Sequence, residues 1–142
     1  MFYRKANKKD YNEILTIWEA SVLATHDFLK DKDREEIKRE IPSYFDYLAI
    51  QLWYEKDELL GFSGINEHHL EMLFLKPDKI GKGYGQAIIS SLIKDFNIKT
   101  VDVNKDNENA TKFYIKNGFH ILNQSEIDSS GRPYPILHLK LK

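Results

Sequence analysis

Gly81-Lys82-Gly83-Tyr84-Gly85 sets three glycines at alternate positions, directly after an apolar run and directly before a helical pattern. A strand, a glycine turn and a helix make a geometry that binds phosphate oxygens. Glycine tolerates positive φ and close backbone approach, and the free N–H groups of the first helical turn point at the anion. Each charge-assisted N–H bond contributes roughly 1.5–3 kcal/mol and the helix dipole about 0.3–1 more, so three or four would anchor a pyrophosphate. Two familiar nucleotide loops do not fit. A P-loop needs a glycine five residues before Gly81, where Lys76 stands, and a Ser or Thr after Lys82, where Gly83 stands. A dinucleotide fingerprint needs a third small residue where Gln86 or Ile88 sits, and Asp102 alternates with Val101 and Val103 as a strand residue would, rather than marking a ribose contact. The adjacent His68 and His69 would face opposite sides of a strand and make no same-face metal pair. With no cysteine, thiolate zinc sites, CxxC redox centres and cysteine nucleophiles are excluded.

The elements that must position this turn are legible as periodicities. Phe2-Tyr3-Arg4 reads as a short strand stopping at Asn7, whose spacing to Asp10 is N-cap-like. Tyr11, Ile14, Leu15, Trp18 and Val22 then form one helical stripe. The pattern breaks at Thr25-His26-Asp27-Phe28-Leu29, and the charged run from Asp31 to Glu40 predicts a solvated second helix that Pro42 interrupts or restarts. Leu48 to Tyr54 and Leu59 to Ile65 predict a hairpin, and Leu70 to Lys76 a third strand ending at Pro77. Ala87, Ile88, Leu92 and Phe96, widened by Ile89 and Ile93, predict the helix after the glycines. Next come a strand at Thr100 to Val103, a helix ending at Asn117-Gly118, and strands at Phe119 to Gln124 and Ile136 to Leu141 around a turn-rich loop, Asp128 to Pro133. The order β-α-α-β-β-β-α-β-α-β-β predicts an α/β (α+β) fold with a mixed sheet flanked by helices.

Composition narrows the setting. At 142 residues, 42% apolar, the prior is one domain, 1–142, with an ordinary core. Lys and Arg total 21 against 22 Asp and Glu, a net charge of -1, so nucleic acid or an acidic membrane surface would need a local basic patch. There is no signal-like apolar segment and no run of membrane-spanning length, which predicts a soluble, cytoplasmic chain, a monomer or a homodimer pairing through its C-terminal strands.

Two segments then carry a family resemblance. Ile80-Gly81-Lys82-Gly83-Tyr84-Gly85, preceded by Leu73-Phe74-Leu75-Lys76-Pro77, resembles the acetyl-CoA signature of the GCN5-related N-acetyltransferase (GNAT) superfamily, [Gln/Arg]-x-x-Gly-x-[Gly/Ala] after an apolar strand. Asn107 to Phe119 is similar to its N-x-x-A-x-x-x-Y-x-x-x-G-F segment. Ser21 to Leu29 and Gly131 to Leu137 extend the likeness towards the small bacterial YjaB-type members. The resemblance implies a splayed central sheet and direct acetyl transfer from the CoA thioester to a primary amine, on a small molecule or a peptide, with acetyl-CoA as cosubstrate and no metal. It implies cofactor contacts at Leu73, Phe74, Leu75, Ile80, Gly81, Lys82, Gly83, Tyr84, Gly85, Gln86, Asn107, Ala110 and Phe113. Backbone N–H groups at Leu73 to Leu75 would polarise the carbonyl, and Tyr114 would be the general acid. Glu71 or His26 would be the base, and His26, Phe28, Trp53 and Tyr134 would line the acceptor cleft. A non-catalytic acyl-CoA-binding module of the same fold is the alternative.

One position departs from the signature. Ile80 stands where Gln or Arg is usual, so that side-chain contact to the pyrophosphate is lost, while the backbone donors survive and Lys79 or Lys82 can supply charge. Weaker CoA binding follows. An Ile80→Arg variant is expected to lower the KM for acetyl-CoA, measured by initial rates; an unchanged KM would show that the isoleucine costs nothing.

Overall fold

The computed structural model describes residues 1–142. After β1 (Phe2–Lys5), Asn7 Oδ1 accepts from the Lys9 N–H and Asp10 Oδ2 from the Asn7 N–H, both at 2.9 Å. This reciprocal cap, held by Arg4 forking onto Asp10, turns the chain into α1 (Tyr11–Thr25). Of the expected α1 stripe, Ile14, Trp18 and Val22 are buried; Ile17 and Ser21 join them, because α1 is covered by the sheet on one side and by α2 (Asp31–Phe45) on another. The helix α2 does not stop at Pro42. Ile41 and Phe45, on either side of the proline, are both buried, each gaining roughly 1.5–3 kcal/mol, which offsets the hydrogen bond that Pro42 cannot donate.

The strands β2 (Ala49–Glu55), β3 (Glu58–Asn66) and β4 (His69–Leu75) form an antiparallel meander. Its two tight turns place Lys56 and Glu67 in the left-handed region, each at φ 55°. Then follow α3 (Tyr84–Phe96), β5 (Thr100–Asn104), α4 (Glu108–Lys116), β6 (Phe119–Ser125) and β7 (Ile136–Leu141). The sheet order is β1-β2-β3-β4-β5-β7-β6, with β4 and β5 its parallel pair. This is the mixed α/β architecture, in the element order expected from sequence. No helix is long and apolar enough to cross a membrane.

Apolar layers pack on both faces. Val101, Val103, Leu137 and Leu139 alternate inward against Ile88, Ile89 and Leu92 of α3 and Tyr114 of α4. On the opposite face, Ile14, Trp18, Ile41 and Phe45 cover Ile50, Leu52 and Phe62.

Where β4 meets β5 the sheet opens. Only His69 and Leu70 pair with β5, opposite Thr100 and Val101. At that point Ile65 pairs with Leu70 and Gly64 with Met72, so Glu71 is an extra residue, a bulge that re-aims the strand. Beyond it β4 follows β3, β5 follows β7, and the two part. Gly61 lies where β3 and β4 approach most closely: a Cβ there would collide with the Phe74 carbonyl oxygen and sit 2.8 Å from Leu75 Cα. Gly61→Ala is expected to destabilise the protein by about 1–3 kcal/mol through overpacking, read as a lower denaturant midpoint at unchanged slope.

Candidate active site

The parting of β4 from β5 leaves main-chain groups unpaired. The Lys76 N–H donates to Leu60 O at 2.8 Å, which fixes the alternation of the β3–β4 ladder. By that alternation the amides of Met72 and Phe74 face β3, and those of Leu73 and Leu75 face the opening. Of the three residues expected as carbonyl-polarising donors, Phe74 is therefore committed to the sheet; its ring instead points towards α1, 5.7 Å from Phe62 and 6.4 Å from His26.

At the foot of the opening, Gly81 (φ 79°) and Gly83 (φ 88°) take left-handed conformations that side chains resist. From Gly81 to Gln86 no backbone N–H donates to a protein acceptor, and α3 has no side-chain cap. Six amides thus face outward around one helix start, the donor set a pyrophosphate needs. Gly85 serves a different purpose, because a Cβ there would press to 3.3 Å from the Phe113 ring, so the glycine lets α3 and α4 close together. Lys79 does not supply the cation once expected of it, since its Nζ bonds Glu58 at 3.0 Å. Lys82, exposed and outside every ion pair, remains.

A cleft of about 790 Å³ runs through the opening. Its walls include Glu71, Leu73, Phe74 and Leu75 from β4, Ile80, Gly81, Gly83, Gly85 and Gln86 from the turn, and Asn107, Ala110, Phe113 and Tyr114 around α4. Lys82 and Tyr84 lie beside it rather than in its wall. Asn107 caps α4, its Oδ1 accepting from the Ala110 N–H at 3.2 Å. Tyr114 is buried, edge-on to Phe113 at 5.1 Å and Phe119 at 5.7 Å, and its hydroxyl has no hydrogen-bond partner in the protein. Burial raises its pKa above the ordinary phenol value, so it keeps its proton at neutral pH.

The end of α1 supplies His26 to the same cleft. Thr25 Oγ1 donates to Ser21 O at 2.8 Å, so the 2.7 Å contact between Thr25 Oγ1 and His26 Nδ1 places the ring proton on Nδ1 and leaves Nε2 as the basic nitrogen. Burial lowers the His26 pKa, keeping the ring neutral and able to accept a proton. Phe28 bridges His26, at 5.1 Å, and Tyr134, at 6.3 Å. Tyr134 is itself buried, its hydroxyl donating to Asp33 and accepting from the Lys30 N–H at 3.2 Å. Of the four residues expected to line the acceptor cleft, only His26 is in its wall; Phe28 and Tyr134 stand behind it, and Trp53 is 2% exposed in the layer under α3, where its Nε1 donates to Ser63 Oγ at 2.8 Å and Ser63 donates on to Gln51 Oε1 at 2.6 Å. The β2 alternation that sends Leu52 to α1 sends Trp53 to the opposite face.

Comparisons with known proteins decide the family. The acetyltransferase (GNAT) domain family matches residues 8–134. The chain belongs to the GNAT family of N-acetyltransferases. Among GNAT relatives, it is 35% identical over 139 residues to peptidyl-lysine N-acetyltransferase YjaB of Escherichia coli (strain K12), covering 96% of this chain and 93% of that protein. The solution structure of apo-form YjaB superposes with a TM-score of 0.88 over 99% of this chain and 96% of that one, at 33% identity. The fold is also that of the PaiA N-acetyltransferase from Thermoplasma acidophilum in complex with coenzyme A, with TM-score 0.69, 20% identity and 98% coverage of both chains.

One part of this GNAT site escaped the sequence reading. Arg132, in the loop before β7, reaches Glu40 at 2.8 Å, Glu36 at 3.3 Å, Asp128 at 3.6 Å and Asp33 at 3.9 Å, tying the loop that carries Tyr134 onto α2. The signal was present: Asp33, Glu36 and Glu40 recur at i, i+3 and i+7, one acidic stripe within the charged run. Arg132, Asp33 and Asp128 are mostly covered while Glu36 and Glu40 stand half-exposed, so Arg132→Met should leave four carboxylates repelling one another partly through water. A loss of about 0.5–2 kcal/mol is expected in chemical denaturation, shrinking at high salt.

Proposed function

We propose that this GNAT enzyme moves an acetyl group directly from acetyl-CoA to a primary amine, the side chain of a peptide or protein lysine. The observation that carries the reading is the parted β4–β5 seam, which sets the unpaired Leu73 and Leu75 amides between a loop of free N–H groups and a cleft lined by carboxylates. Gly81 to Gln86 and Lys82 suit the CoA pyrophosphate, and the cleft joins that loop to the end of α1. Acetyl-CoA supplies the thioester. The chain's residues 1–142 supply position, hydrogen bonds and proton transfer.

Asp27, Glu71, Asp102, Asp106 and Glu108 line the cleft against a single cation, Lys116, which favours a positively charged acceptor. The names of the relatives agree with lysine. At pH 7 a lysine amine, pKa about 10.4, is neutral in roughly one molecule in 2,500, so a proton acceptor is needed before attack. Glu71 and His26 both reach the cleft from its acceptor side. In this reading the Leu73 amide stabilises developing oxyanion charge and the Tyr114 hydroxyl donates to the departing sulfur. A phenol raised above its ordinary value is a weaker acid than a thiol of pKa about 8.5, by roughly 2 kcal/mol or more. Tyr114 therefore acts first as a hydrogen-bond donor, and as an acid only once the amine surrenders its second proton.

The test incubates the protein with acetyl-CoA and lysine peptides or small amines and reads free thiol, against no background from a chain without cysteine. Lysine peptides are expected to release thiol. Tyr114→Phe should lower kcat by about 10²-fold or more with the KM for acetyl-CoA nearly constant. Binding of acetyl-CoA without thiol release on any amine would favour the non-catalytic module.

A further inference from the structure

The end of α1 holds an imidazole in one orientation at the acceptor side of the cleft. His26 is tied by its main chain on both sides: its N–H donates to Val22 O at 2.8 Å, and its carbonyl accepts from the Leu29 N–H at 3.0 Å. The ring packs against Phe28, at 5.1 Å, and against Phe74, at 6.4 Å, the residue after the Leu73 whose amide faces the opening. Thr25 has a single hydroxyl hydrogen, and helix geometry spends it on the Ser21 carbonyl four residues back, at 2.8 Å. At its 2.7 Å contact with His26 the Thr25 oxygen can then only accept, from Nδ1–H. His26 Nε2 is left without a partner in the protein and within reach of solvent.

We propose that His26 Nε2 is the base that takes the acceptor's ammonium proton, and that Thr25 is the positioning residue that keeps Nε2 bare by holding the ring proton on Nδ1. The proposal rests on the amine-acetyltransferase reading. The carboxylates of the cleft suit the task less well. Asp102 is already engaged, its Oδ1 with His138 Nδ1 at 2.7 Å and its Oδ2 with His69 Nε2 at 3.5 Å. Glu71 is exposed at the β4 bulge, and no hydrogen bond orients its carboxylate. A carboxylate is also ordinarily a weaker proton acceptor than an imidazole, by about 2 pK units. Its charge draws the ammonium in; the fixed ring takes the proton. Burial, opposed by the charge of Asp27, lowers the His26 pKa, which trims that margin but keeps the ring neutral at pH 7 and above. The other charged groups around the ring are Asp31 and Arg34 of α2, across a small hollow that His26 shares with Leu23 and Leu29, and Glu71 and Asp102 across the cleft.

The protons balance. One leaves the ammonium for Nε2, making an imidazolium whose Nδ1–H still rests on Thr25. The neutral amine forms the N–C bond, the C–S bond breaks, and a second amine proton ends on sulfur. Ammonium and thioester thus give amide, thiol and one proton, which Nε2 returns directly to water. The tautomer decides the outcome, because a neutral ring protonated on Nε2 meets the ammonium as a donor and has no lone pair on that side to receive a proton.

Thr25→Val, Thr25→Ser and His26→Gln would be compared with the unaltered protein by acetyl-peptide formation from a lysine peptide and by nitrogen-15 NMR of the histidine rings. At about pH 8 the unaltered His26 should show a protonated Nδ1 and a bare Nε2; the reverse pattern overturns the proposal. Thr25→Val keeps the side-chain shape and removes the acceptor, so it should free the tautomer and lower kcat about 5- to 20-fold with the KM for acetyl-CoA steady. Thr25→Ser should keep the bare Nε2 and stay within about 3-fold of the unaltered rate. Valine and serine variants alike in tautomer and rate overturn the role of Thr25. His26→Gln should lower kcat about 100-fold at pH 7, shrinking below about 10-fold near pH 10, where much of the lysine is already neutral. A loss equal at every pH, or no loss, overturns the assignment of the base. Unaltered protein that acetylates no amine sinks the acetyltransferase reading and this proposal with it. Active protein with any of the contrary patterns sinks the proposal alone.

Discussion

The seam between β4 and β5 is the constraint on which the rest of the site depends. Two residue pairs hold it, with the Lys99 N–H on His68 O at 2.8 Å fastening one end, and everything past Glu71 diverges. A sheet interior that ends in unpaired amides is unfavourable, by about 1–3 kcal/mol for each buried group left unsatisfied. Those amides therefore favour whatever chain inserts between the strands and accepts from them. The Glu71 bulge, the Gly61 contact and the glycine turn are three ways of keeping the seam open at one end while the layers on both faces hold it shut at the other.

Charge is balanced over the whole chain and sorted within the cleft. On one side are backbone donors and an uncommitted lysine; on the other are carboxylates with two histidines behind them. Since the total is nearly zero, long-range attraction for either reactant is weak, and selection between them is local. Arg132 serves the same sorting, because it neutralises the carboxylates of α2 that would otherwise extend the negative surface and leaves those of the cleft exposed.

Much of this was legible in sequence. Hydrophobic period showed α1 and α3, and β7 from end to end, because these elements each bury one face; β1, exposed along its length, was read from a short aromatic run and α2 from its charges. The glycine turn was legible because its spacing is local, and Tyr114 stood out only through the resemblance of its segment to the GNAT pattern. Pro42 was misread since its neighbours Ile41 and Phe45 are held by tertiary burial, which overrides a local breaker. Trp53 was misplaced because an aromatic on a strand does not announce which face it takes. The Asp102–His138 pair and the Arg132 clamp join residues 36 and about 90 positions apart; only strand register and loop docking bring them together, and neither has a local signature.

The position of Trp53 also has an optical meaning. The chain has two tryptophans: Trp18 lies in the layer between the sheet and α1–α2, and Trp53 in the layer beneath α3. Each half of the hydrophobic interior thus carries its own fluorophore, with the sheet as the partition between them. The Trp53 indole is anchored by the Ser63 hydroxyl and Trp18 lies among aliphatic and aromatic side chains, so with either tryptophan replaced by Phe the remaining emission reports on one layer alone.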